Sequence, residues 1–304
     1  MSLVVLVLMV VASVCGLWIP GLYRDPIEVA AMLRGYDLVT LVVVVPALAL
    51  AILPPWSRNR AARVVWLSAL AYGVYNYAIY VFGTAFNAVF LIHVALFGLC
   101  VFALAIALAT VDVHAIAAGF RARTRVRVAG ALLILLAVAL AGMWVVNALR
   151  FALIGAQPEE SYLIAPITIV HLGYVLDLAL FAPACVLAGV LLWQRRPWGY
   201  LLGTVMLLFG TVYQLSYLAA LAFQSSADVP GAGFDPAEPA ILGVFVVGTV
   251  LLLTGLHTRT VHGPHPIPRP PRRPAPYPGV GPARSGHSAV SGGAGRTDGG
   301  SEGR

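Results

Sequence analysis

Charge is scarce in this chain: Asp, Glu, Lys and Arg together make up 10% of its 304 residues, against roughly a quarter in soluble domains. So few charges cannot build a water-facing surface of that size. Lysine is missing altogether, since all 19 residues counted as Lys+Arg are arginine. Its absence excludes the Schiff bases of retinal pigments and pyridoxal enzymes and the lysine of a P-loop. There is no HExxH, and no glycine fingerprint between a strand and a helix. The three cysteines, Cys15, Cys100 and Cys185, sit in separate apolar runs without CxxC spacing. They read as buried packing, and no metal or cofactor is expected.

What is abundant is apolar surface. Hydrophobic residues are 60% of the chain and mean hydropathy is +0.90. They are concentrated in runs of about 16–25 residues, the length that spans a hydrocarbon core as helix. The expected spans are Leu3–Ile19, Asp37–Leu53, Val64–Phe82, Ala88–Leu108, Val128–Leu149, Ile169–Trp193, Tyr200–Phe223 and Ala240–Leu256. This predicts an all-α, polytopic bundle of about eight transmembrane helices over 1–256. The segment PIEVAAMLRG, with Pro26 at a helix start and Gly35 at a stop, suits a surface helix ahead of span two. Pro46 and Pro183 lie inside spans, where a bundle tolerates them as kinks.

A net charge of +7 raises the question of nucleic acid, but the arginines flank spans and populate the tail, where they mark topology and contact with the lipid bilayer. One set of alternate loops carries Arg58, Arg60, Arg63, Arg121, Arg123, Arg125, Arg127, Arg195 and Arg196 against Asp112 alone. The other carries Arg24, Arg34 and Arg150 with seven acids. The positive-inside rule then places both termini in the cytoplasm and the protein in the cell membrane. Ala-Ser-Val ahead of Cys15 makes a poor lipobox, so the first helix is expected to be retained. From His257 to Arg304 the chain is Pro-, Arg- and Gly-rich with no apolar periodicity, and is expected to be a disordered cytoplasmic tail.

An offset of 138 residues aligns Gly35-Tyr36 with Gly173-Tyr174, Arg58 with Arg196, and Val74-Tyr75-Asn76 with Val212-Tyr213-Gln214. Asp37 and Asp177 follow the Gly-Tyr pairs two positions out of register. The pattern suggests two parallel four-helix repeats, 1–110 and 128–256, about an axis along the membrane normal.

Polar groups within spans are costly and point to function. Asp37, Asn76, His93, Asn147, His171, Asp177 and Gln214 all fall in the outer halves of their spans. His171, Tyr174 and Asp177, three residues apart, share one helical face. With Tyr75 and Asn76 from span three, and Tyr213 and Gln214 from span seven, they define a candidate ligand-binding set, to which Asp37 and His93 are added. The expected site is an outward-facing pocket for a small polar or cationic solute, serving transport or sensing, with Asp177 as counter-charge. Three alternatives stay open: a membrane enzyme using His171 with Asp177, or Glu159 with Glu160; a haem or metal protein using His93 and His171; and a structural or assembly partner. The stretch HLGYVLDLALFAPACVLAGVLLWQRRPWGYLLG resembles uncharacterised multi-pass membrane proteins of GC-rich bacteria. That resemblance implies a polytopic fold and no activity.

Overall fold

The structure is a computed structural model that describes residues 1–54, 56–156, 163–234 and 236–256. Those residues are all-α apart from one isolated bridge between Phe120 and Leu256. Nine helices are described. They are α1 (Ser2–Trp18), α2 (Ile27–Ile52), α3 (Arg60–Phe82), α4 (Phe90–Thr110), α5 (Val113–Ala117), α6 (Val126–Ile154), α7 (Ile167–Leu176 continued by Asp177–Phe181 and Ala182–Trp193), α8 (Pro197–Ser226) and α9 (Ala237–Leu253). Six of them, α2, α3, α4, α6, α7 and α8, are long and apolar enough to cross a membrane; α1 and α9 are apolar but only 17 residues each. The tail from His257, and with it the expectation of disorder, lies outside the described residues, as do Glu159 and Glu160.

Local chemistry explains the helix ends. Asn59 caps α3 by accepting from the Ala61 amide at 2.9 Å, and Asp112 caps α5 by accepting from the Ala115 amide at 2.9 Å. Gly155, at φ 67°, terminates α6 in the left-handed conformation glycine tolerates. Pro197 opens α8, where its missing N–H is no loss.

Two expectations about the second span are corrected. It begins at Ile27, directly after Pro26, and runs unbroken through Gly35, so there is no separate surface helix and Asp37 does not begin a span. Gly35 is a contact residue: a Cβ there would lie 2.5 Å from the Ala220 backbone nitrogen, because α2 and α8 press backbone to backbone. The in-span prolines also act differently from simple kinks. Thr40–Val44 in α2 and Asp177–Phe181 in α7 are five-residue π segments. Each is followed by one α-helical residue and then Pro46 or Pro183. The residue before each proline donates to the carbonyl five positions back, Val45 to Thr40 and Ala182 to Asp177. The widened turn relieves the clash a proline ring makes with the preceding turn.

The helix contacts form two rings. In the first, α1 packs on α2 and α4, α2 on α3, and α3 on α4; in the second, α6 packs on α7 and α9, α7 on α8, and α8 on α9. The rings join where α2 and α3 meet α8, with only a sparse seam between α3 and α7. α3 is the most enclosed of the long helices, 72% of its apolar window being buried against 22% for α6. The ends are segregated. At one, Trp66 donates to Ser2 Oγ at 2.9 Å, the Arg121 amide to Gly255 O at 2.9 Å, and Phe120 stacks on Tyr200. At the other, the Gln224 amide donates to Glu28 O and Ile164 O and accepts from the Ile164 N–H.

Candidate functional site

Asp37 stands 11 residues after Pro26, and Asp177 stands 11 residues after Pro166, the prolines that cap their helices. Both carboxyl groups are sealed from solvent, 2% and 3% exposed, and in each both oxygens lie within hydrogen-bond distance of aromatic side chains.

In the first ring, Tyr23 OH donates to Asp37 Oδ2 at 2.5 Å and Tyr80 OH to Asp37 Oδ1 at 3.0 Å. Tyr80 OH also reaches Leu33 O at 3.0 Å. Tyr23 comes from the loop between α1 and α2, and burial, then the adjacent Asp37 carboxylate, hold its hydroxyl above the ordinary tyrosine value. Gly16 is what lets α1 close over this group: a Cβ there would meet Asp37 Oδ2 at 1.9 Å and Tyr23 OH at 2.4 Å. His93, fully buried on α4, lays its ring 4.6 Å from that of Tyr80 and 6.0 Å from that of Tyr77.

In the second ring, Tyr75 OH lies 2.6 Å from Asp177 Oδ1 and Trp144 Nε1 donates to Oδ2 at 2.9 Å. Tyr75 OH is also 3.2 Å from Tyr213 OH, with the rings 4.8 Å apart. A phenol has a single proton. Tyr75 therefore donates either to Asp177, ionised or accepting through its carbonyl oxygen, with Tyr213 donating to it, or to Tyr213, with a protonated Asp177 donating to it. Tyr80 faces the same choice between Asp37 and Leu33 O. Tyr72 OH bonds Thr40 Oγ1 at 3.0 Å and Ser216 Oγ at 3.1 Å, linking α3 to α2 and α8.

No family model, curated protein or solved structure matches the chain. The resemblance of 171–203 therefore identifies no family, and the geometry alone carries the functional reading.

Of the residues singled out from the sequence, Asp177, Tyr75 and Tyr213 meet directly. Tyr174 stacks on Trp144 with centroids 4.1 Å apart and accepts from Asn147 at 3.4 Å. Gln214 bonds Glu238 of α9, and Asn76 is buried on α3. His171 is exposed on α7, whereas Asp177 on the same helix is enclosed, and His93 lies inside the first ring. Among the described residues no group of three metal-ligating side chains occurs. A hollow of about 500 Å³ between α6 and α7, lined by Ala137, Leu178, Pro183 and other apolar side chains, includes none of the polar set. Sequence reasoning missed Tyr23, Trp144 and Gln224. Tyr23 lies in a loop, and nothing in the sequence marks Trp144 or Gln224 as a partner of residues 33 and 60 positions away. The side chains that hydrogen-bond Asp37 and Asp177, namely Tyr23, Tyr80, Tyr75 and Trp144, are all neutral.

Proposed function

We propose that the protein crosses the cell membrane eight times with both termini cytoplasmic, and that it binds a small cationic or polar solute at Asp177, for transport or sensing. The observation that carries this reading is a carboxylate enclosed in a span whose two oxygens are held by neutral groups from two other helices, Tyr75 and Trp144. Ten residues of helix set Asp177 about 15 Å from the start of α7, near the middle of a core about 30 Å thick. An ionised carboxyl there needs a positive partner, and a neutral one needs a proton. Proton and solute cation thus compete for one group, and an ionised Asp177 fixes Tyr75 as a donor to it, with Tyr213 donating to Tyr75.

Three features support two related halves: the matching helix rings, the shared π-segment-then-proline device, and the contact of Tyr75 with Tyr213. These two residues are related by the 138-residue offset, and equivalent residues meet where a twofold axis passes. The sparse α3–α7 seam supports access, because Gly173, the counterpart of Gly35, has nothing within 4 Å of its would-be Cβ.

The test is thermal stability of the purified full chain against ammonium, guanidinium, choline and polyamine salts at several pH values. A ligand at a hundred times its Kd stabilises by about 2.7 kcal/mol. Asp177→Asn keeps the size and hydrogen-bonding of the side chain, so it should fold yet lose that shift. An unchanged shift in Asp177→Asn would remove Asp177 as the counter-charge.

A further inference from the structure

The polar interior of the first ring extends beyond the groups that hold Asp37. Ser13 Oγ, Tyr77 OH and both ring nitrogens of His93 are sealed from solvent, and none has a hydrogen-bond partner among the described residues. Ser13 is 0% exposed, Tyr77 1% and His93 0%. They come from three helices, α1, α3 and α4, and they converge. Ser13 is three residues before Gly16 and Tyr77 three before Tyr80, so each lies one turn below the Asp37 layer on the same inward face. The Ser13 and Tyr77 hydroxyls face one another across the α1–α3 contact. His93 stacks on Tyr77 and lies tilted against Tyr80, and both of its in-plane nitrogens are open to another partner.

We propose that the first ring encloses a hydrated site, in which water bound by Ser13, Tyr77 and His93 joins α4 to the Asp37 network. The chemistry of the donors selects water. A neutral imidazole offers one donor and one acceptor, and each hydroxyl offers both. A buried water typically makes about 3 hydrogen bonds to groups of this kind. Leaving four such atoms bare inside a bundle would be costly, and α1, α3 and α4 bring no charged side chain to this layer. The titratable and charged groups around His93 are Tyr77 and Tyr80 on α3, Cys100 of its own helix near Tyr77 and, through Tyr80, Asp37 on α2 with Arg34 one turn before it, and Tyr23 in the loop. The water therefore reorients with the proton on Asp37, and His93 senses that proton without touching the carboxyl. This site is separate from Asp177 and does not depend on the reading given to it.

The test uses the full chain in lipid nanodiscs, labelled with 15N-histidine, the His93 signals being assigned by their loss in His93→Gln. Hydrogen-bonded ring nitrogens that shift in Asp37→Asn but not in Asp177→Asn are the expected result. Tyr77→Phe and Ser13→Ala should each lower the melting temperature, and the double variant should lose less than the two together, because they share one water. A dry site gives the opposite: Tyr77→Phe raises or preserves the melting temperature, and the His93 signals ignore Asp37→Asn. That result would overturn the proposal.

Discussion

Gly35 in α2 and Gly173 in α7 both lie inside long helices but face different surroundings, which makes a pair of alanine substitutions informative. At Gly35 a new Cβ would sit 2.5 Å from Ala220 N and 2.6 Å from Ala220 Cα. Backbone atoms cannot rotate away. Relaxed contacts need about 3.5 Å, so α2 and α8 must separate by roughly 1 Å along their shared interface. Overpacking of this kind costs about 1–3 kcal/mol. At Gly173 nothing lies within 4 Å of the new methyl, and the substitution brings only the helix-propensity gain of about 1 kcal/mol. That gain applies equally at Gly35, so the difference between the two variants isolates the steric cost, about 1–3 kcal/mol. Thermal unfolding in a single detergent should order the proteins Gly173→Ala, wild type, Gly35→Ala from most to least stable. Equal melting temperatures for the two variants would refute the backbone-to-backbone packing of α2 on α8.

Gln224→Leu leaves Glu28 O and both backbone groups of Ile164 without their partner; at about 1 kcal/mol per bond it should cost about 3 kcal/mol in the same assay, and a neutral result would show that the clamp is not formed. Because the Tyr23 hydroxyl is held above its ordinary value by burial and then Asp37, its contribution to stability is complete below the unfolded tyrosine value of about 10 and declines as pH rises past it. In an alkaline titration followed by tyrosinate absorbance, Tyr23→Phe should leave the first ionisation step unchanged; a smaller first step would place Tyr23 in solvent. Cysteines introduced at Ala156 and Ala232 should react with an impermeant thiol reagent on intact cells and one at Ala122 should not; labelling at Ala122 alone would invert the proposed orientation.

Six of the eight expected spans return as helices long and apolar enough to cross a membrane, and they are legible because crossing a bilayer is a local property: length and hydropathy decide whether a segment can be solvated by lipid, whatever its neighbours are. The same holds for the conspicuous position of Asp177 inside a span and for the grouping of arginines at one end. Gly35 was misread as a helix stop because an open-ended glycine and one pressed against Ala220 look alike in a string of letters. In the sequence Asp37 reads as a span's first residue because Arg34 and Glu28 lower the local hydropathy, whereas Pro26 starts the helix and packing against α8 carries it through. Pro46 and Pro183 announced irregular turns, but the π geometry that accommodates them emerges only when the helix is built. The partners of the carboxylates were out of reach of any local rule. Tyr75 meets Asp177 across 102 residues of sequence and Tyr80 meets Asp37 across 43. Which tyrosine of α3 serves which ring follows from the azimuth of that helix between the two halves, a quantity set by tertiary packing.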